Sequence, residues 1–274
     1  MTMDLERELV PDGLWEIVTS LVPPFKPRRQ GGGTAPVADR TVFCAIVHAL
    51  TTSCAWRRLP PSFGVSPATV HRRFAAWTRA GLWRRLHKPK SLTGWVPHGR
   101  STGPLPWLTL PRSGRKGGQL VGPNPVDRGK PGAKLHILTD AQGLPLVTAV
   151  SAANTHDSLA LKPLVMAVPA VRSRCRPRRR RPSKLRADKG YDYPEIRHWL
   201  RNRSITPKIA RRGIESSERL GHYRWKVERS ISWLFNYRRL TIRYERESRH
   251  FAAFLSIAAT LTCYKRLAQT RHVR

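Results

Sequence analysis

Acidic residues are scarce in this chain: 17 Asp and Glu stand against 51 Lys and Arg, a formal net charge of +34 over 274 residues. That imbalance demands a polyanionic partner, with nucleic acid the first choice and an anionic membrane surface the weaker one. Long hydrophobic runs are missing too. None reaches the roughly 18 residues that a spanning helix needs, and the N-terminal residues Met1 to Glu6 carry no secretory apolar region, so no membrane role and a cytoplasmic location are expected. Cysteine is sparse. Cys44, Cys54, Cys175 and Cys263 lie far apart without CxxC spacing, which supports neither a zinc site nor a disulfide framework and fits a reducing compartment. Apolar residues, however, make up 40% with 9 Trp, so one large domain or two smaller ones can build a real core.

Where acids are rare, the context of each one matters. Asp188 follows the short strand-like run Lys184-Leu-Arg-Ala, and Glu228 falls beside an apolar stripe of Val227, Ile231, Leu234 and Phe235 at helical spacing. Two such carboxylates suit a hard cation such as Mg²⁺ held against a phosphate. The plainer readings are a turn cap for Asp188 and a surface pair of Arg224 with Glu228, the latter worth a few tenths of a kcal/mol.

Residues 9–86 read as helical. Asp12 is a candidate N-cap for a helix through Leu14, Ile17, Val18 and Leu21, and Thr41 to Thr51 is a buried-helix candidate. Ser66-Pro67 opens a further helix, with Ser66 as cap and Pro67 in the first turn. Val70, Phe74 and Trp77 then face the core, while Thr69, His71, Arg72 and Arg73 face outward, as a recognition helix presents residues to a major groove. The alternative is an ordinary surface helix with a basic face.

Residues 89–115 lack acids and periodicity, and a structureless connection of that length inside a compact domain is unusual. From Gly117 order returns. Strands are expected over 132–139 and 144–150 around an Asp140–Gly143 turn, a helix over 157–168, a basic loop over 171–182, a strand over 184–187, a helix over 193–202 and a strand over 205–210. A long helix carries Glu228 and an apolar helix over 251–267 closes the chain. The fold class is therefore α/β in its second half. Seven arginines between Arg172 and Arg181 are too dense to pair with local acids; they read as a phosphate-gripping loop, or as a solubilising charge run. Within that run, Arg178, Arg179, Arg180 and Arg181 form an unbroken block.

Several strings occur in order: GPNPVDRGKPGAKLHILTDAQGLPL, SAANTHDS, LRADKGYDYPEIRHWL, RWKVERSISWLFNYRRL and HFAAFLSIAATLTCYKRL. Together they resemble bacterial insertion-sequence transposases of the DDE type, in the compact group with no domain inserted before the glutamate. The resemblance runs from about Leu9 to Leu86 and from about Lys116 to Leu267. It implies a small all-α helix-turn-helix domain over 1–88, an irregular segment over 89–115, and a ribonuclease H-like catalytic domain over 116–274. Asp188 becomes the second catalytic acid and Glu228 the third, together holding two Mg²⁺ ions, or Mn²⁺ in their place. Two such ions clamp the attacking and leaving oxygens of an in-line phosphoryl displacement. The implied partner is double-stranded DNA, at transposon ends and target, with a homodimer bridging two ends in a nucleoid-associated bacterial protein. Expected phosphate contacts are Lys130, Lys134, Lys189, Tyr191, Arg224 and Arg229, alongside the arginine block. His136 is expected to serve packing or DNA contact rather than metal ligation.

The first catalytic aspartate of the family is not where the pattern requires it. No acid lies between Asp39 and Asp127, and Asp127 and Asp140 fall in the following loop and hairpin. Leu105 to Gly114 can be encoded so that a shifted frame reads Ala-Met-Val-Asp-Ser-Ala-Ser-Val-Arg, the hidden codon straddling Leu108 and Thr109. Two compensating frameshifts bracketing residues 89–115 would thus have replaced the central first strand and its acid. Such a chain is a degenerate transposase copy that binds DNA but cannot cut it; the other functional class is a non-catalytic, repressor-like DNA-binding protein, with a ribosomal-type RNA binder third.

Overall fold

A computed structural model describes residues 3–24, 37–87, 118–125, 128–169, 171–173, 176–179, 181–211, 225 and 228–272. The segment 89–115, Asp127, Cys175, Arg180 and Arg224 lie outside the described residues. The architecture is mixed α/β with a helical N-terminal region.

Five α-helices come first: α1 (Met3–Leu9), α2 (Asp12–Thr19), α3 (Asp39–Thr52), α4 (Pro67–Arg79) and α5 (Leu82–Leu86). α3 is apolar almost all round from Val42 to Leu50 and is correspondingly the buried centre of this layer. α4 starts as its sequence dictates: the Ser66 hydroxyl accepts from the Thr69 amide at 3.2 Å and Pro67 occupies the first turn, where no N–H is missed. Val70, Phe74 and Trp77 are its buried stripe. Asp12 corrects the expectation for α2. It is the first helical residue rather than the cap, and its carboxylate accepts from Arg40 at 2.5 Å. In a chain this rich in arginine, a guanidinium outcompetes backbone amides for a rare carboxylate, and that hydrogen bond holds the Asp12 carboxyl below its ordinary range.

The strands follow: β1 (Gly122–Pro123), β2 (Pro131–Thr139) and β3 (Pro145–Ala152) form a three-stranded sheet in the order β1-β2-β3. β2 and β3 are antiparallel with Leu135 opposite Val150 and Ile137 opposite Thr148. After α6 (Ser158–Met166) come β4 (Val171–Ser173) and β5 (Arg176–Arg179), an antiparallel pair within what the sequence presents as a basic loop. A run of arginines carries no apolar alternation, so its backbone pairing leaves no trace in the residue pattern. β6 (Lys184–Ala187) then pairs in parallel with β7 (Thr206–Ile209), α7 (Pro194–Arg201) connecting them. Residues 228–235 are helical (α8), a 3-10 turn spans Arg238–Leu240, and α9 (Ser248–His272) closes the chain.

The described residues form two apolar cores. Leu138, Leu161, Leu185, Ala187, Tyr191 and Ile196 share one, so the β2–β3 and β6–β7 sheets meet on one face. Leu135 and Ile137, on the opposite face of β2, join α9, α8 and the N-terminal helices in the other. Among the described residues no strand hydrogen-bonds β2 to β6: β1 flanks β2 only at residues 131–132, and β6 pairs with β7. The N-terminal helices share their core with α9 rather than closing one of their own.

Candidate acid site and nucleic-acid surface

Asp188 ends β6 and caps the 3-10 turn Lys189–Tyr191, its Oδ1 accepting from the Lys189 amide at 2.7 Å. The turn drives Tyr191 inward to 3% exposure. Burial pushes the Tyr191 hydroxyl well above its ordinary pKa, with the charges of Asp157 and Asp188 adding to the effect. Tyr191 therefore sits behind the acid and is no surface phosphate contact. Lys134, also expected at DNA, is 9% exposed, with Nζ 2.9 Å from Asp157 Oδ1 and 2.9 Å from the Thr155 carbonyl. An ammonium so engaged is spent inside the fold. His136, on the same strand face, lies 2.7 Å from the Ser151 hydroxyl through Nε2, and burial holds its pKa below the usual histidine value. Its role is packing. Asp157, which sequence reasoning took only as the start of a helix, holds Lys134, and its charge is felt at Tyr191 in the turn after Asp188. Its rarity as an acid was the one available signal.

Glu228 is exposed at the start of the described part of α8. The next two residues fix that helix to the β2–β3 turn: Arg229 Nη2 donates to the Gln142 carbonyl at 2.5 Å, and the buried Ser230 hydroxyl donates to the Gly143 carbonyl at 2.5 Å. The Arg229 guanidinium also lies 4.6 Å from the Trp225 ring centre and 4.8 Å from that of Trp233. It is engaged within the fold instead of reaching freely for a phosphate. Asp140 organises the same turn, accepting from the Gln142 and Leu144 amides at 2.9 and 2.8 Å. Burial raises its carboxyl pKa against those hydrogen bonds and the charge of Arg229. Asp140 is a turn former and not a substitute on a first strand.

The helix of Glu228 is thus tied to the hairpin at the Asp140–Gly143 turn, and the Asp188 turn meets the same hairpin through Tyr191, which shares an apolar core with Leu138. Their oxygen donors are the kind a hard divalent cation takes. Yet among the described residues no group of three or more His, Cys, Asp or Glu side chains could hold a metal ion. The donor set falls short of a three-carboxylate cage. Lys130 is exposed, and Lys189 is partly buried with its backbone amide on Asp188.

On α4, His71 and Arg72 are exposed and Thr69 is half-buried, its hydroxyl 2.9 Å from that of Ser66. The His71 ring rests against Trp56 at 5.4 Å and His250 of α9 at 6.0 Å. Arg73 does not face outward: Nη1 lies 2.7 Å from Asp39 Oδ1 and Nη2 donates to the Val37 carbonyl. Again a rare acid has drawn an arginine inward. Arg181 is exposed, and Arg178 and Arg179 belong to β5. Cys44, Cys54 and Cys263 are free thiols, and burial pushes Cys44 up to about 12. No described helix is long and apolar enough to cross a membrane.

Comparisons with known proteins identify the family. Residues 10–87 match the family described as "Putative transposase of IS4/5 family", and residues 108–263, which include both acids, match "Transposase DDE domain". Over 155 residues the chain is 44% identical to the "Putative transposase for insertion sequence element IS402" of Burkholderia cepacia, covering 57% of this chain and 74% of that protein. Over 86 residues it is 38% identical to the "Insertion element IS402 uncharacterized 16.2 kDa protein" of the same organism, covering 31% of this chain and 58% of that one. A domain match over more than half of the chain, joined to that relative, makes this protein a member of the DDE-domain transposases of the IS4/5 family.

Proposed function

We propose that this chain binds the ends of an insertion sequence as double-stranded DNA, presenting Asp188 and Glu228 as the two surviving acids of a ribonuclease H-like strand-cleaving site. The observation that carries this reading is that the β2–β3 hairpin meets both acid-bearing elements, the helix of Glu228 at its turn and the Asp188 turn through the core that Tyr191 shares with Leu138. The +34 charge supplies the attraction to phosphate, and His71 and Arg72 on α4 stand exposed for base or backbone contact. In a homodimer, two such chains pair two element ends.

The site as it stands is deficient. Mg²⁺ or Mn²⁺ chemistry at phosphate depends on ions held in fixed geometry, and two carboxylates constrain them less than three. Among the described residues no strand joins β2 to β6, the place that the ribonuclease H-like reading gives to a central strand with a further acid. The chain therefore binds ends and cuts them weakly or not at all, which brings its behaviour near that of a repressor of related elements.

A gel assay on a labelled terminal repeat tests both halves. With Mg²⁺ or Mn²⁺ present, the wild type retains the DNA while nicking stays close to background. Glu228→Ala removes whatever nicking remains and leaves affinity nearly intact. Nicking unchanged by Glu228→Ala takes that residue out of the site, and equal affinity for random DNA or RNA at all salt concentrations overturns end recognition.

A further inference from the structure

Trp56 lies where α4, α9 and the turn after α8 meet. Its ring centre is 5.4 Å from that of His71 and 5.3 Å from that of Phe74 on α4, and 5.8 Å from that of Phe254 on α9. The Arg239 guanidinium stands over the same ring at 5.0 Å and donates to the Cys54 carbonyl. The 3-10 turn Trp56–Arg58 and the 3-10 turn Arg238–Leu240 are thereby joined, although they come from opposite halves of the chain. Each turn sends one residue, Trp56 or Arg239, inward and leaves arginine outside. Arg57, Arg58 and Arg238 are exposed, as are His71 and Arg72 on α4. The described acids of this region are already engaged: Asp39 by Arg73, Glu245 by Arg239 and Glu247 by Arg249. Among the described residues none is left to neutralise the outer arginines.

A helix seated in a major groove has phosphates on both flanks, and contacts to them set its register and orientation. Arginines without carboxylates, placed beside such a helix, are suited to that task. We infer that the DNA-reading unit of this chain is composite: the duplex that α4 enters is held at its backbone by Arg57 and Arg58 on one turn and by Arg238 on the other. The N-terminal helices share one core with α9, which fixes the two turns relative to each other. This surface rests on the end-binding reading above and adds to it that residues 1–88 are not a self-standing reading domain. The duplex under α4 also crosses the half of the chain that carries the acids.

The test measures binding of the full chain to a labelled duplex of about 15 base pairs, roughly one and a half helical turns, at several salt concentrations. On so short a duplex only contacts within one footprint count. Arg57→Gln, Arg58→Gln and Arg238→Gln each lower the slope of log affinity against log salt by about 0.9, and the triple variant lowers it by about 2.7. All three side chains are exposed, so the variants keep the fold. Arg201→Gln, at an exposed arginine of α7 on the other apolar core, leaves the slope as in the wild type. An unchanged slope for Arg238→Gln, or for Arg57→Gln and Arg58→Gln together, overturns the composite surface. So does an equal loss for Arg201→Gln, which marks an effect of overall charge. Failure of end recognition shows itself separately, as equal affinity for a terminal repeat and for random duplex whatever the slopes of the variants.

Discussion

Lys134 Nζ and Asp157 Oδ1, 2.9 Å apart, tie the middle of β2 to the loop that opens α6. The lysine side chain is 11% exposed and the aspartate 32%. Removing the ammonium leaves a half-buried carboxylate and the Thr155 carbonyl without it, so Lys134→Met costs about 1–3 kcal/mol in urea unfolding. The same variant separates this role from DNA contact. A lysine on phosphate contributes about one unit to the slope of log affinity against log salt, and here that slope stays as in the wild type.

Arg239 is the corresponding fixture between the two ends of the chain. Its Nε lies 2.8 Å from Glu245 Oε1, with the side chains 2% and 5% exposed. The guanidinium donates to the Cys54 carbonyl and packs over Trp56 and Phe254 at 5.0 and 4.9 Å. Arg239→Ala strands the Glu245 carboxylate in a dry site and costs about 3–5 kcal/mol. Arg239→Met with Glu245→Leu recovers most of that loss, because no charge is left uncompensated. Chemical denaturation of the single and double variants measures the difference. A double variant as unstable as the single one would place the stabilisation in the arginine's packing.

His87 ends α5 fully inside the protein, and neither ring nitrogen has a hydrogen-bond partner among the described residues. Burial lowers its pKa to about 4 from an ordinary 6.5. The unfolded chain therefore takes up the proton first. The stability associated with neutral His87 is complete above pH 6.5 and is lost as pH falls toward 4, a change of about 3 kcal/mol. His87→Leu removes this contribution, so the gap in unfolding free energy between variant and wild type widens in the variant's favour as pH drops through that window. His48, His136 and His250 are shifted the same way, but they are common to both proteins and cancel in the comparison.

Much of the fold was legible where a local signal marks an element. Ser66-Pro67 announced α4, the Asp140–Gly143 turn divided β2 from β3, and the helix expected over 193–202 is α7. The failures share a cause. β2 is buried on both faces from Gly132 to Thr139, so the period-two alternation that tells inside from outside is absent, and Lys134 read as exposed. Arg73 and Asp12 read as outward or capping because their partners, Asp39 and Arg40, are neighbours only in space. For the acid site, sequence gave Asp188 its strand end and Glu228 its helix. That one hairpin meets both elements depends on Arg229, Ser230 and Tyr191, whose partners lie far away in the chain.

The arginines from Arg178 to Arg181 carry the last prediction. β5 ends at Arg179, and Arg181 is exposed, so the block runs from the end of a strand into the residues before β6. With 51 Lys and Arg against 17 Asp and Glu, a block of four arginines reads as a contact for phosphate. As phosphate contacts they release counterions on binding, each adding about 0.9 to the salt slope on duplex DNA. Replacing Arg178, Arg179, Arg180 and Arg181 by Gln should reduce that slope by about 3–4 and weaken binding at low salt for every sequence alike. Titrations of a terminal repeat and of random duplex at several salt concentrations measure both effects. A loss confined to the terminal repeat would mean that these side chains read bases, and an unchanged slope would leave the block as a solubilising run.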